Sequence, residues 1–121
     1  MRILCVDDNA DSSEVVSLTL KLANKNFEVE TAKDAEEAME LASSKSFDVY
    51  LLDMCLPTMN GPELCRWIKQ KDGASQVVFF SAAAGDGDRQ QGLEAGAREY
   101  LVKPNDFERL PTVIESLLAA S

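Results

Sequence analysis

Short apolar runs alternate with longer stretches whose apolar residues recur every three or four positions. Residues 2–6, apolar after Arg2, predict a strand, and the cap-rich segment Asp7-Asp8-Asn9-Ala10-Asp11-Ser12-Ser13 follows it. Val15, Val16, Leu18, Leu20, Leu22 and Ala23 predict a helix with a broad apolar stripe, ending near residues 24–26. Residues 27–31 alternate, which predicts a strand with one wetter face, near a sheet edge. Asp34 and Glu37 have capping-box spacing, and Ala35, Ala38, Met39 and Ala42 mark the inner side of a second helix. Val49-Tyr50-Leu51-Leu52 is an unbroken apolar run inside a predicted strand over 48–53, buried on both faces and ending on Asp53. Turn chemistry follows in Pro57 and Asn60-Gly61, and Pro62 suits the first position of a third helix with Leu64, Trp67 and Ile68 inward. Residues 76–81 form another buried strand, ending on the Ser81 hydroxyl, and a small-residue loop follows. The helix expected over about 87–95 has the weakest stripe, essentially Leu93 and Ala95, and contains Gly92, which costs about 1 kcal/mol against alanine. Gly96 is its stop, and residues 99–103 are the last strand. Asp106 is the expected cap of a final helix with Leu110, Ile114, Leu117 and Leu118 inward. Pro111 predicts an irregular first turn there, or a helix that begins near Leu110.

Five successive strand–helix units predict an α/β domain: a parallel five-stranded sheet with helices on both faces. Right-handed crossovers favour the flavodoxin-like doubly wound order 2-1-3-4-5, with the switch point between strands 1 and 3. The strands of a parallel sheet all point one way, so Asp7, Asp8, Asp53, Ser81 and Lys103 are expected at one end of it.

Composition narrows the chemistry. With 121 residues the chain reads as one domain, 1–121, large enough for a core without staples and with no effector domain alongside. It has no histidine, which removes histidine-based zinc sites, general bases and triads, and means the chain is neither a histidine kinase nor a histidine phosphocarrier. Cys5, Cys55 and Cys65 form no C-x-x-C motif, and Cys5 reads as a small core residue. A net charge of −9 argues against direct nucleic acid binding. No apolar run approaches membrane-spanning length, and the run after Arg2 is too short for a signal peptide, so a cytoplasmic protein is expected.

Asp7, Asp8 and Asp53, drawn from adjacent strands, form a carboxylate group that suits a hard divalent cation. Magnesium, which keeps some of its waters and shares a phosphate oxygen, fits better than calcium, because too few protein oxygens are offered for a full calcium cage. Lys103 adds a cation and Ser81 a donor, so a phosphoryl group's charge could be spread over metal, ammonium and hydroxyl. Asp53 is then the candidate nucleophile, since carboxylates form acyl phosphates. Taken singly, Asp7-Asp8 reads equally as a helix cap, Ser81 as a turn former and Lys103 as a solvated lysine before a proline. Their coincidence at four strand ends is what points to a site.

At these residues the chain resembles, from end to end, the receiver domain of two-component response regulators, in particular single-domain chemotaxis-type regulators. The matching pieces are Ile3-Leu4-Cys5-Val6-Asp7-Asp8, Asp53-Met54-Cys55-Leu56-Pro57-Thr58-Met59-Asn60-Gly61, Phe80-Ser81-Ala82 and Tyr100-Leu101-Val102-Lys103-Pro104. The resemblance implies that Asp53 accepts phosphate from a phosphohistidine on a sensor histidine kinase or histidine phosphotransfer protein. It implies Mg2+ bound directly by Asp8, mainly through water by Asp7, and by Asp53 and the backbone carbonyl of Cys55. Ser81 and Lys103 would hold the phosphoryl oxygens, and the Lys103-Pro104 peptide bond would be cis. Ser81 and Tyr100 would switch the face made by the fourth helix, fifth strand and fifth helix towards a downstream protein target. Tyr100, an odd offset from Lys103, is expected towards the helix-4 surface, turning inward on phosphorylation. Such a domain is not an enzyme beyond catalysing its own aspartyl phosphorylation and dephosphorylation. Serine stands at 81 where threonine is commoner, Asn105 where phenylalanine is usual, and neither Cys55 nor Ala83 offers a carboxylate or amide to orient an attacking water.

Three other functions fit parts of the pattern. A flavodoxin-like carrier would need a neutral or hydroxyl-rich loop after the first strand, whereas Asp7-Asp8-Asn9-Ala10-Asp11 repels phosphate unless a metal intervenes. A haloacid-dehalogenase-type phosphatase carries its nucleophile after strand 1 in an Asp-x-Asp pattern, which Asp7-Asp8-Asn9 does not match. A phosphorylation-independent interaction module would not need the full set of site residues present here.

Overall fold

A computed structural model describes residues 1–120. The elements run β1 (Arg2–Val6), α1 (Ala10–Ala23), β2 (Glu28–Ala32), α2 (Ala35–Ser44), β3 (Val49–Leu52), α3 (Gly61–Lys71), β4 (Gln76–Ser81), α4 (Asp86–Glu94), β5 (Glu99–Val102) and α5 (Leu110–Ala120), with a 3-10 turn at Phe107–Arg109. All strand pairs are parallel and the order is β2-β1-β3-β4-β5, the doubly wound arrangement the pattern predicts. Among the described residues no helix is long and apolar enough to cross a membrane.

Strand alternation divides the core in two. Leu4, Val6, Tyr50, Leu52, Val77, Phe79 and Tyr100 face α2, α3 and α4. Ile3, Cys5, Val49, Leu51, Val78, Phe80 and Leu101 face α1 and α5. β3 lies between β1 and β4, buried along its whole length, because the central strand has helices over both faces. β2 pairs only with β1, so it is an edge strand, as its alternation implies.

Three features depart from the sequence expectation. The α1 stripe is narrow: Val16 and Leu20 are buried, but Val15, Leu18 and Leu22 are 51%, 58% and 78% exposed. A helix lying on one sheet face buries about a third of its circumference, and Ser13, Val16 and Leu20 already fill that arc. α4 is anchored by Gly92, not by Leu93, which is 40% exposed. A Cβ on Gly92 would come within 2.9 Å of the Phe79 ring and 3.0 Å of the Tyr100 ring, so the missing side chain is what lets α4 sit down. Asp106 does not cap α5. Its carboxylate turns back to accept the Val102 N–H at 2.9 Å and an Arg109 N–H at 3.1 Å. Pro111 is accommodated because the 3-10 turn precedes it and α5 proper starts at Leu110.

Caps hold the other helices. Asn9 accepts the Ser12 N–H at 3.0 Å, Asp34 the Glu37 N–H at 2.8 Å, and Asn60 the Glu63 N–H at 2.9 Å. Glu37 completes its box one residue early, on the Lys33 N–H at 3.2 Å. Gly96 takes φ 117° after the C-cap Ala95, a conformation that glycine adopts without strain.

Candidate functional site

Register delivers the site. Val6 pairs with Leu52, so Asp7 and Asp53 leave the sheet side by side. Ser81 closes β4 opposite Val102, and Lys103 follows at once. The ladder continues through these residues: Asp7 N–H donates to the Ala32 carbonyl at 3.0 Å, Asp53 N–H to Val6 at 3.1 Å, and Lys103 N–H to Ser81 at 2.9 Å. Their backbones are therefore as fixed as the sheet itself.

The side chains converge on Asp53. Its Oδ1 accepts the Ser81 hydroxyl at 2.8 Å and the Cys55 N–H at 3.1 Å. Its Oδ2 accepts the Lys103 ammonium at 3.2 Å, and the same ammonium forms an ion pair with Asp7 Oδ2. Burial opposes the charge on Lys103, but the hydrogen bond to Asp7 and the charges of Asp53 and Asp7 outweigh it, so its pKa is raised. One carboxylate oxygen from each of Asp7, Asp8 and Asp53 lies within 4.8 Å of the others; Asp7 is buried, Asp8 exposed. Three hard oxygens, one of them on the exposed Asp8, fit a magnesium ion that retains water. The Lys103-Pro104 bond is cis.

Tyr100 lies on the α4 side of the sheet, as its odd offset from Lys103 implies, but it is already turned inward with Asp53 unmodified. Its ring is buried between Phe79 and Gly92, and its hydroxyl donates to the Ala83 carbonyl at 2.5 Å. The space left by Gly92 is the physical reason. Burial raises the Tyr100 phenol pKa, which keeps the hydroxyl a donor.

Four supporting residues escaped sequence reasoning. Asn9, besides capping α1, donates its N–H to Asp7 Oδ1 at 2.9 Å. Gly61 packs so tightly on the Asp53 backbone that a Cβ would collide with the Asp53 carbonyl and approach the Phe79 ring to 2.8 Å. The Asn60-Gly61 pair signalled a turn, but not this close approach. Gly92 makes room for Tyr100 as described, whereas in the sequence it signals only a weak helix. Phe80 lies beneath Lys103, its ring centroid 5.6 Å from the ammonium. The cysteines differ in access. Burial pushes the Cys5 thiol up to about 12, with Asp7 adding to the effect, and the Cys65 thiol up to about 11, whereas Cys55 is exposed in the loop after Asp53.

Beside the switch point between β1 and β3, the carboxyl ends of this doubly wound sheet gather three acids, a hydroxyl and a lysine, where folds of this class bind their ligands. Residues 3–115 match the response regulator receiver domain family, and the chain belongs to it. It is similar to the response regulator ArlR of Staphylococcus epidermidis, 35% identical over 116 residues, covering 96% of this chain and 52% of that protein. ArlR of Staphylococcus aureus is 34% identical over 117 residues, with 97% and 52% covered. The chain thus spans about half the length of the curated relatives it matches. Among solved structures it resembles the BeF3-activated DrrB receiver domain, with TM-score 0.87, 30% identity, and 98% and 97% of the two chains covered. A LuxR-family response regulator from an Aurantimonas species gives TM-score 0.90 at 32% identity, with 98% and 85% covered. Chemotaxis protein CheY4 of Vibrio cholerae gives 0.86 at 30%, with 96% and 97% covered.

Proposed function

We propose that this receiver domain is a phosphoacceptor: Asp53 takes a phosphoryl group from a partner's phosphohistidine, and the change is read on the face formed by α4, β5 and α5. The observation that supports this most directly is Asp53 itself, held by Ser81, Cys55 N–H and Lys103 beside two further acids. Asp7, Asp8, Asp53 and the backbone carbonyl of Cys55 would hold magnesium, which when bound neutralises charge on the phosphoryl oxygens. In the transfer the P–N bond to imidazole breaks, a P–O bond to an Asp53 oxygen forms, and the electron pair leaves with the imidazole nitrogen. Ser81 and Lys103, released from the carboxylate oxygens they now bind, become donors to the phosphoryl oxygens. They therefore stabilise charge where it develops without having to be recruited. The sheet-end ladder keeps all of them aimed while this happens.

The partner is read as a sensor histidine kinase or phosphotransfer protein, docking a helix on the exposed α1 stripe of Val15, Leu18 and Leu22. Val15 shares with Phe80, Lys103, Pro104 and Phe107 an apolar cavity of about 330 Å3, so the stripe runs directly to the lysine.

The test is mass after incubation with magnesium and acetyl phosphate. One phosphoryl adduct is expected, absent from Asp53→Asn; an adduct that persists in that variant refutes the assignment. Leu18→Lys should slow transfer from a phosphohistidine donor protein and leave labelling by acetyl phosphate unchanged. Equal effects on both would remove α1 as the docking helix.

A further inference from the structure

We infer that Phe80 and Phe107 are positioning residues, two packed rings that hold the Lys103 ammonium over the phosphoacceptor. The inference rests on Asp53 as phosphoacceptor and adds what aims the lysine. Phe80 is buried in the α1/α5 side of the core, immediately before Ser81. The Lys103 ammonium is 5.6 Å from its ring centroid, inside the roughly 6 Å over which a cation is attracted to a π face. Phe107 packs on Phe80 with centroids 6.1 Å apart and planes at 45°, within the range of favourable aromatic pairs.

The loop that bears the lysine also bears the second ring. Val102 N–H donates to Asp106 Oδ2 at 2.9 Å, Asp106 N–H to the Val102 carbonyl at 2.8 Å, and Phe107 N–H to the Pro104 carbonyl at 3.1 Å. Lys103 and Phe107 therefore leave one clamped turn and meet on Phe80. Phe107 is the more exposed of the two rings and closes the side of the cavity shared with Val15 and Pro104.

The rings do what the carboxylates cannot. Asp7 and Asp53 both draw the ammonium through directed hydrogen bonds, and the buried Asp7 pairs with it directly. A lysine held only by such pairs would be locked to Asp7 when a phosphoryl group arrives. A ring face attracts the cation without prescribing an N–H direction, so it restrains the ammonium sideways and leaves its three donors free to change acceptors. Leucine at 80 would fill the space and keep the burial, but it has no quadrupole.

Two measurements test this. In metal-free protein, the Lys103 ε-methylene protons should lie upfield of those of exposed lysines through the Phe80 ring current. That displacement should vanish in Phe80→Leu, shrink in Phe107→Leu and persist in Phe107→Tyr. With saturating acetyl phosphate and magnesium, Phe80→Leu should lower the rate constant for adduct formation by about three- to thirtyfold, the range cation–π energies imply. The half-saturating concentration should not change. Phe107→Leu should cost less, and Phe107→Tyr should restore the wild-type rate. In a Lys103→Met background Phe80→Leu should have no further effect, which a merely structural role would not give. Unshifted ε-methylene protons in the wild type, or equal slowing by Phe80→Leu with and without the lysine, overturns the inference. A wild type phosphorylated at Asp53 and matched by Phe80→Leu overturns it alone; a wild type that takes no phosphoryl group overturns the phosphoacceptor reading, and the inference with it.

Discussion

Asp8 is the most exposed of the three clustered acids and, among the described residues, the one that forms no ion pair, since Lys103 pairs with Asp7 and Asp53. Removing it relieves like-charge crowding without leaving a buried ion unpaired. Asp8→Ala should therefore melt higher than the wild type in EDTA. Magnesium should raise the wild-type melting temperature, by about 2.7 kcal/mol of stability at a hundred times its dissociation constant, and leave Asp8→Ala little changed. A wild type whose melting ignores millimolar magnesium would count against a metal at this cluster. Asp106 carries a different prediction. The Val102 N–H is the main cause of its lowered pKa, with Arg109 helping. A carboxylate depressed on folding contributes stability above its unfolded pKa, near 3.9, that is lost as pH falls through the lower folded value. Asp106→Asn should thus be less stable than the wild type near neutrality, and the gap should close below about pH 4. Urea midpoints measured for both proteins from pH 7 to pH 2 would show it; parallel curves would not support the assignment. Asp106 also shows where sequence reasoning stops at this scale. Its type and position suit a helix cap, and only the turn at Phe107–Arg109 directs its oxygens back to Val102 instead.

Period and punctuation carried most of the elements. The order of strands and helices, the edge position of β2 and the two-faced burial of β3 follow from alternation, apolar runs and the caps at Asp34 and Pro62. The convergence of Asp7, Asp53, Ser81 and Lys103 follows too, because parallel strands put all their C-terminal ends together. What periodicity could not show was which of several apolar residues a helix buries. α1 has more of them than one sheet face can cover, and the surplus Val15, Leu18 and Leu22 face outward. α4 is the opposite case, with so few apolar contacts that a glycine makes the main one. Helix propensity favours Gly92→Ala by about 1 kcal/mol. Its Cβ, however, would press on the Phe79 and Tyr100 rings at 2.9 and 3.0 Å, and overpacking costs about 1–3 kcal/mol. The steric effect should win. Gly92→Ala is expected to lower the urea midpoint by the equivalent of about 1 kcal/mol and to expose Tyr100 to solvent perturbation of its absorbance. A more stable variant with Tyr100 still buried would show that α4 can shift to make room.

Across the whole molecule, the Asp53 site and the α4–β5–α5 face are joined by a short chain of contacts. Ser81 touches Asp53, the Ala83 N–H donates to the Ser81 hydroxyl at 3.2 Å, the Ala83 carbonyl accepts the Tyr100 hydroxyl, and Tyr100 lies against Gly92 of α4. Arg89 adds a tie from α4 to the Tyr100 carbonyl at 3.4 Å. Both Ser81 and Tyr100 are already inward with an unmodified Asp53, so the inward conformer does not need phosphate in order to exist. Phosphorylation can then only change its weight, and by no more than the difference in interaction between the two states. That difference is modest. Ser81 now bonds a charged carboxylate and would bond a charged phosphoryl oxygen afterwards; each is worth about 1.5–3 kcal/mol, so the net gain is on the order of 1 kcal/mol. Such a gain shifts a two-state ratio about fivefold, a graded response rather than an all-or-none one. In NMR spectra of the free and beryllofluoride-bound protein, residues 84–102 should therefore move along straight lines between two end states, with the free protein already part of the way. Tyr100→Ala, which removes the ring between Phe79 and Gly92, should abolish the movement in α4 while shifts around Asp53 remain. Changes confined to the loops beside Asp53 in the wild type, with residues 84–102 still, would rule out this face as the output.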